Sequence, residues 1–187
     1  PGPAASDPFA VDQDSELTDT YSLDERLFRI RIPAGSRLVG RTLASSRLRE
    51  DWQLNVIAIQ HNGSETLDPP PGTRLHEGDV LLLEGRLEEF RQRDVEPYLE
   101  ILPPRDYADA DLESPEIGLA EVVVAPRSRY EGKTLREARF REQFELGVVG
   151  IWRGIWVVRT YLGYIPLLVG DALLFQGHRD RIRILER

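Results

Sequence analysis

The fold is decided by a stretch that the chain uses twice. It reads Ser36-Arg37-Leu38-Val39-Gly40-Arg41-Thr42-Leu43, and it returns 92 residues later as Ser128-Arg129-Tyr130-Glu131-Gly132-Lys133-Thr134-Leu135. Between residues 36–59 and residues 128–151, 11 of 24 positions are identical. The same offset relates Gly78-Asp79 to Gly170-Asp171. One offset that serves both blocks indicates a tandem duplication.

The duplication predicts the division of the 187-residue chain. We expect an acidic flexible tether at residues 1–25, a first unit at 26–90, an acidic proline-containing linker at 91–118, and a second unit at 119–187. The net charge of −8 comprises −7 in the tether, −5 in the linker and +4 in the two units. No basic stripe with stacking aromatic residues is present, so we expect no nucleic-acid partner.

Composition indicates a soluble globular protein, with 41% hydrophobic and 30% charged residues. The absence of cysteine excludes disulfides and thiolate metal sites. No apolar run approaches the length of about 18 residues that a membrane span needs. The chain opens at Pro1 and contains no methionine, so we expect a piece of a longer polypeptide without a signal peptide of its own.

Local patterns predict a mixture of strands and short helices in each unit. Phe28–Ile32 alternates apolar and charged residues, as a half-buried strand does, and Val122–Val124 is its counterpart. Thr42 and Thr134 precede short helices, and Glu137 completes a capping box with Thr134. Ser45 stands at the equivalent position in the first unit, which predicts a weaker cap there.

The second half of each unit predicts further strands, turns and a closing helix. Val56–Ile59 and Val80–Glu84 have the composition of buried strands, and Asn62-Gly63 is a strong turn signal. Leu87–Phe90 and Asp180–Ile184 are expected to form short helices that close the units. We therefore predict the α+β class, as two copies of a small antiparallel unit.

The ordered series of motifs resembles a known family. The first unit carries it in Pro33-Ala34-Gly35-Ser36, Pro70-Pro71-Gly72-Thr73 and Leu75-His76-Glu77-Gly78-Asp79, and the second in Gly132-Lys133-Thr134-Leu135 and Gly170-Asp171-Ala172-Leu173-Leu174. These segments resemble the TrkA-C domain, also called the RCK C-terminal domain. The resemblance covers roughly residues 26–186, and a tandem pair with acidic linkers is similar to the cytosolic insert of divalent-anion:sodium symporter permeases.

The resemblance implies a regulatory function. It implies a homodimerising module at the cytoplasmic face of the cell membrane, attached to a transporter of the anion:sodium symporter or the potassium-uptake and cation-transport type. A small anionic or nucleotide ligand is expected, because RCK C-terminal domains in some relatives bind nucleotide second messengers, and no cofactor is expected. The alternative is a purely structural assembly domain that holds two permease subunits together without a ligand.

No residue pattern indicates catalysis or metal binding. His61, His76 and His178 are scattered, so we interpret them as exposed loop histidines. Asp79 and Asp171 recur before a strand, and we expect each carboxylate to cap backbone amides in its turn rather than to form a catalytic pair. An enzyme is therefore not expected.

Arginines retained in both copies are the candidates for ligand binding. Arg37, Arg47 and Arg49 have arginine partners at the same offset, whereas several neighbours differ. An anion would suit guanidinium groups beside a helix start. The alternative is that Arg47 pairs with Glu50 and Arg139 with Glu142 on the helix surface. The predicted ligand residues are Arg37, Arg47, Asn55, Arg129 and Arg139.

The aromatic run of the second unit is the candidate contact surface. It comprises Trp152, Trp156, Tyr161 and Tyr164. Across a turn at Arg153-Gly154, the two tryptophans would form one aromatic platform at a domain or subunit contact. The alternative, that they fill the second core, stays open at this point.

Overall fold

Each repeat folds into an antiparallel sheet with short helices on one face, as the computed structural model describes for residues 16–92, 99–158 and 161–185. The strands of the first sheet are β1 (Leu27–Arg31), β2 (Asn55–His61), β3 (Ser64–Leu67), β4 (Val80–Glu84) and β5 (Glu100–Ile101). The strands of the second sheet are β6 (Ile117–Val123), β7 (Leu146–Arg153), β8 (Trp156–Val157) and β9 (Ala172–His178).

The two sheets share one topology. The strand order is β3-β2-β4-β1-β5 in the first and β6-β9-β7-β8 in the second, so β6, β9, β7 and β8 occupy the places of β1, β4, β2 and β3. Even the irregularity is repeated, because β2 shifts its register against β4 between Val56 and Ala58, and β7 shifts against β9 between Val148 and Gly150. The duplication seen in the sequence is thus a duplication of structure, and the predicted α+β class is confirmed.

Short helices connect and close the strands. In the first half of the chain they are α1 (Leu17–Thr20), α2 (Leu43–Ser46), α3 (Leu48–Trp52) and α4 (Leu87–Gln92). In the second half they are α5 (Asp109–Leu112), α6 (Leu135–Ala138), α7 (Phe140–Phe144) and α8 (Arg179–Leu185). None of the helices in the described ranges is long and apolar enough to cross a lipid bilayer.

The helices α2 and α6 both begin with a capping box, which the sequence predicted in full only for α6. The hydroxyl of Thr134 accepts from the backbone of Glu137, whose carboxylate accepts from the backbone of Thr134. In the first unit Ser45 closes the same box with Thr42 through its hydroxyl. The short side chain therefore satisfies the same two backbone groups.

Strand alternation separates three cores. Leu81 and Leu83 of β4 point into a core beneath the helices of the first unit, and Leu173 and Phe175 of β9 do the same in the second. Leu82 and Leu174 point to the opposite faces of their sheets. There they meet in a third core, the middle core, which joins the two units. Its remaining buried members are Tyr21, Leu23, Leu27, Ile57, Ala58, Tyr107, Leu112 and Val149.

The segments expected to be a tether and a linker contribute to this middle core. Tyr21 and Leu23 have no exposed surface, and Tyr107 and Leu112 are buried as well. Residues 16–25, at the end of the predicted tether, and residues 99–118, in the predicted linker, thus supply side chains that pack against the sheets; residues 1–15 and 93–98 lie outside the described part of the chain. The physical reason is that each sheet leaves an apolar face to be covered, and these few apolar side chains help to cover it.

Candidate functional site

A cleft of about 310 Å³ lies where the two units meet. From the first unit it is lined by Arg26, the segment 49–55 that includes the end of α3, and Glu84 at the end of β4. From the second unit it is lined by α6, α7, the start of β7 and residues 161–164. A molecule bound in this cleft would contact both repeats at once.

Arginine dominates the charge of the cleft. Arg49 and Arg141 occupy the same position in the two repeats, and both line this one cleft. The units therefore face each other through equivalent turns of α3 and α7. Among the described residues, five arginines and three glutamates line the cleft, namely Arg26, Arg49, Arg136, Arg139 and Arg141 with Glu50, Glu84 and Glu142.

A buried ion pair forms one wall of the cleft. Arg26 donates to Oε1 of Glu84 through Nε at 2.9 Å and Nη2 at 2.6 Å. Asn55 donates from Nδ2 to Oε2 of the same carboxylate at 2.7 Å. Both oxygens of Glu84 are thus satisfied within the protein. The charge of Arg26 is neutralised, and Arg141 forms a looser ion pair with Asp68 at 3.4 Å. Arg49, Arg136 and Arg139 therefore contribute most of the positive charge that the cleft offers a ligand, opposed by Glu50 and Glu142.

Arg49 is held in an unfavourable environment. Although much of Arg49 is exposed to solvent, partial desolvation lowers the pKa of its guanidinium, and the nearby Arg141 lowers that pKa further, while Glu142 and Glu50 act in the opposite direction. Within the described residues Arg49 donates no hydrogen bond. A side-chain oxygen of Gln53, also in the cleft, is buried without a partner. An anion between Arg49 and Arg141 would relieve the repulsion between like charges.

Comparison with known proteins identifies the two units. The family model of the TrkA-C domain matches the chain twice, at residues 27–93 and 119–187. The chain belongs to the TrkA-C domain family. The sequence-based expectation of tandem TrkA-C units is thereby confirmed.

The TrkA-C pair is also similar to parts of larger proteins. It is 33% identical over 173 residues to the uncharacterized transporter sll0640 of Synechocystis sp., and 31% identical over 179 residues to the uncharacterized transporter YfbS of Escherichia coli. These matches cover 89% and 92% of the chain but only 28% and 29% of the two transporters. Among solved structures, the GsuK RCK domain matches 86% of the chain and 63% of its own length, at 14% identity and a TM-score of 0.34.

The TrkA-C fold brings some of the predicted ligand residues together and separates others. Asn55 and Arg139 line the cleft. Arg37, Arg47 and Arg129 lie outside its lining. Arg129 instead stacks its guanidinium 4.8 Å from the centre of the Tyr130 ring. Two of the five predicted ligand residues thus lie in this cleft and three lie elsewhere, and ligand binding by any of them stays a prediction.

The sequence had indicated that Arg47 and Arg139 lie within a short helix. In the structure they lie between helices instead. Each is the single left-handed residue between two short helices, with φ of 55° at Arg47 and 50° at Arg139. Arg47 forms an ion pair with Asp51 at 2.9 Å, not with Glu50. The left-handed residue interrupts the helix between α2 and α3. The continuous helical spacing on which the predicted pair of Arg47 and Glu50 depended is therefore not present.

The two tryptophans do not form one platform. Trp152 lies opposite Val157 and Trp156 lies opposite Arg153, so the two rings project from opposite faces of the sheet. Trp152 packs against the middle core, where its ring meets Tyr21 edge to face at 6.5 Å. Trp156 is 67% exposed. The sequence placed the turn at Arg153-Gly154, one residue before its observed position at Gly154-Ile155, and it did not predict that the two rings lie on opposite faces.

The two tyrosines lie at the cleft rather than beside the tryptophans. Tyr161 lines the cleft beneath the guanidinium of Arg86, 5.8 Å from the ring centre. Tyr164 is held by Arg136, which lies over its ring at 4.8 Å and donates to its hydroxyl. Arg49 and Arg141 are an arginine pair retained in both repeats, but they were not among the predicted ligand residues. Arg136 has no counterpart, since Ala44 stands at its position in the first unit, and so gave no signal.

The histidines are not scattered in space. His61 and His76 have their ring centres 4.6 Å apart, and both rings lie beside the buried Asp79. Asp79 and Asp171 cap their turns as predicted, accepting from the backbone of His76 at 2.8 Å and of Leu168 at 2.7 Å. The histidines were missed because they come together only when the β2–β3 hairpin folds back beside the turn.

Proposed function

We propose that this tandem TrkA-C pair is a ligand-sensing and dimerising regulatory module of a membrane ion transporter, on the cytoplasmic face of the membrane. The observation that carries the proposal is the match of nearly the whole chain to just over a quarter of two transporters. The transport path would belong to the remainder of such a protein. The proposal divides the chain into units at 26–90 and 119–187, and leaves open whether the ion is an anion or potassium.

The proposed ligand is a small anion, and a nucleotide fits the cleft best. Arg49, Arg139 and Arg141 would bind phosphate or carboxylate oxygens through forked hydrogen bonds. Tyr161 and Tyr164 would supply aromatic faces for a base, and the unpartnered oxygen of Gln53 would accept from a base or sugar donor. The ligand would touch both units and would favour the arrangement in which they face each other, which is the requirement for a regulatory effect.

A thermal-shift screen tests ligand binding. Cyclic dinucleotides, mononucleotides and dicarboxylates are added to wild type and to a variant carrying Arg49→Ala and Arg141→Ala. A ligand that binds the folded state raises the melting temperature, by an amount that grows with its concentration. We expect a rise for wild type and a much smaller one for the variant. If no compound raises the melting temperature of wild type, the ligand-free assembly domain becomes the better account.

A separate observation, an exposed apolar surface, supports dimerisation of the chain. At one end of the second unit four apolar side chains are largely exposed, namely Ile155, Trp156, Leu168 and Val169. The equivalent positions in the first unit are Gly63, Ser64, His76 and Glu77. Two copies of one fold thus differ in the polarity of the same surface. We propose that this apolar end of the second unit contacts a second copy of the chain.

Light scattering over a range of concentrations tests the dimer. We expect a mass near twice the 21.3 kDa of the chain. The substitution Trp156→Ser should weaken association and leave the melting temperature of the monomer nearly unchanged, because the side chain is 67% exposed. A monomer at every concentration would refute the dimer, and loss of folding in the variant would show that Trp156 serves the core instead.

A further inference from the structure

A buried carboxylate lies beside two neighbouring imidazoles at one end of the first unit. Oδ1 of Asp79 is 2.5 Å from Nδ1 of His61, and Oδ2 is 3.5 Å from Nδ1 of His76. The side chain of Asp79 is 1% exposed, whereas those of His61 and His76 are 46% and 49% exposed. The three nitrogen and oxygen ligand atoms lie within 4.8 Å of one another.

The carboxylate is fixed by its backbone before any partner arrives. The amide of His76 donates to Oδ2 of Asp79 at 2.8 Å. The backbone of Asp79 accepts from Ile32 at 2.9 Å, and Gly78 donates to the carbonyl of Ile32 at 2.8 Å. The turn is therefore bound to the end of β1 on both sides. Only the two exposed imidazoles have freedom to adjust around the carboxylate.

In the second unit the equivalent buried carboxylate is paired with an arginine. Asp171 is equally buried at the equivalent position, and Arg153 stands where His61 stands. Arg153 donates to both oxygens of Asp171, from Nε at 2.8 Å and Nη2 at 2.7 Å. A permanent cation thus neutralises the buried carboxylate of the second unit. In the first unit two exposed imidazoles, of His61 and His76, stand beside Asp79 in place of that guanidinium.

We propose that His61, His76 and Asp79 bind a divalent transition metal ion of the zinc class. Two imidazole nitrogens and one carboxylate oxygen are a ligand set that Zn²⁺ takes in proteins, with a fourth position left for water. Ligand atoms around a tetrahedral Zn²⁺ lie about 3.3 Å apart, given bonds of about 2.0–2.1 Å. The 3.5 Å between Oδ2 of Asp79 and Nδ1 of His76 is close to that value, whereas the 2.5 Å between Oδ1 and Nδ1 of His61 is shorter, so the exposed ring of His61 would move outward to admit an ion. The exposed imidazoles provide the entry path from solvent.

A neighbouring amide supports the orientation of His61. Nδ2 of Asn62 lies 3.0 Å from Nε2 of His61. With the metal on Nδ1, Nε2 carries the proton, and rotation of the amide by half a turn presents the oxygen of Asn62 as its acceptor. Such outer contacts fix the ring and its tautomer in metal sites. The bound ion would tie the β2–β3 hairpin to the turn, as Arg153 ties β7 to its turn in the second unit.

Metal titration of the chain, prepared without a polyhistidine tag, tests the proposal. Zn²⁺ is followed by calorimetry and by melting temperature, and Co²⁺ by its visible absorption, which reports tetrahedral coordination. Wild type should bind one ion per chain with a rise in melting temperature. His76→Ala should weaken binding about tenfold or more. His178→Ala, a histidine outside the cluster, should leave affinity unchanged.

The repeat supplies the decisive variant. His61→Arg recreates the arrangement of the second unit, so it should abolish Zn²⁺ binding while the metal-free protein melts no lower than wild type. If His61→Arg fails to fold, His61→Gln removes the same ligand atom and takes its place in the titration. Absence of Zn²⁺ binding by wild type at millimolar concentration would overturn the proposal. Binding that survives both His61→Arg and His76→Ala would do so as well.

Discussion

Arg26 and Glu84 show how one buried charge depends on another. Their side chains are 5% and 3% exposed. The ion pair joins the residue before β1 to the last residue of β4, beside the cleft. Removing one partner of a buried pair leaves the other charge desolvated, which is costly. Arg31 of β1 and Glu100 of β5 form another ion pair of the same sheet, yet their side chains are 46% and 53% exposed. Solvent screening makes such a surface pair worth little.

This contrast predicts different costs for two similar substitutions. Arg26→Met should lower the free energy of unfolding by about 3–5 kcal/mol, because it leaves Glu84 charged and buried. Arg31→Met should lower it by about 1 kcal/mol or less. Urea denaturation of both variants and wild type measures the difference. Equal losses in the two variants would show that burial does not set the strength of these pairs.

At the scale of helices, strands and turns, the sequence predicted the features that depend on residues close together in the chain. Thr134 with Glu137 was found as a cap, and Asn62 with Gly63 as a turn, because each depends on residues close together in the chain. The left-handed conformation of Arg139 was not found. No glycine or asparagine marks that position, so the break between α6 and α7 left no trace in composition.

The two capping boxes should respond differently to pH. Hydrogen bonds from the backbone and hydroxyl of Thr134 lower the pKa of Glu137 from its ordinary 4.5. A folded pKa below the unfolded one gives stability that is present above pH 4.5 and is lost as the pH falls through the folded value. Glu137→Ala should therefore lower the melting temperature at neutral pH, and the difference from wild type should narrow below pH 4.5.

Ser45→Ala is the matched control, since it removes the hydroxyl that closes the first box and carries no ionisable group. Its effect on the melting temperature should not narrow across the same acid range. Thermal unfolding followed by circular dichroism in a series of buffers provides both comparisons. A difference for Glu137→Ala that stays constant down to the acid limit of folding would contradict the assignment.

At the scale of the whole molecule, the two units form one packed body through the middle core. Tyr21 lies so close to Gly150 that a Cβ there would stand 2.6 Å from its ring. Burial raises the pKa of the Tyr21 hydroxyl, and its hydrogen bond to Glu121 at 2.6 Å raises it further. The sequence could not reveal this contact, because Tyr21 lies in an acidic segment 129 residues before Gly150.

The cleft was predictable only in part for the same reason. Asn55 and Arg139 were named from the sequence, but that they face each other across a boundary depends on how the sheets pack. The offset of 92 residues between the repeats was the sequence feature that gave the most information about the cleft. It paired Arg49 with Arg141, and the structure brings both to one place. It also paired Arg47 with Arg139, of which only Arg139 lines the cleft.

That last pair gives the most direct test of an anion site between the units. Calorimetry with cyclic dinucleotides, mononucleotides and dicarboxylates is run on wild type, Arg139→Ala and Arg47→Ala. The two substitutions are the same change at equivalent positions, one inside the cleft and one paired with Asp51 outside it. We predict that an anion binds wild type, that Arg139→Ala weakens it about tenfold or more, and that Arg47→Ala leaves it unchanged. No binding at millimolar concentration, or equal losses in both variants, would contradict the site.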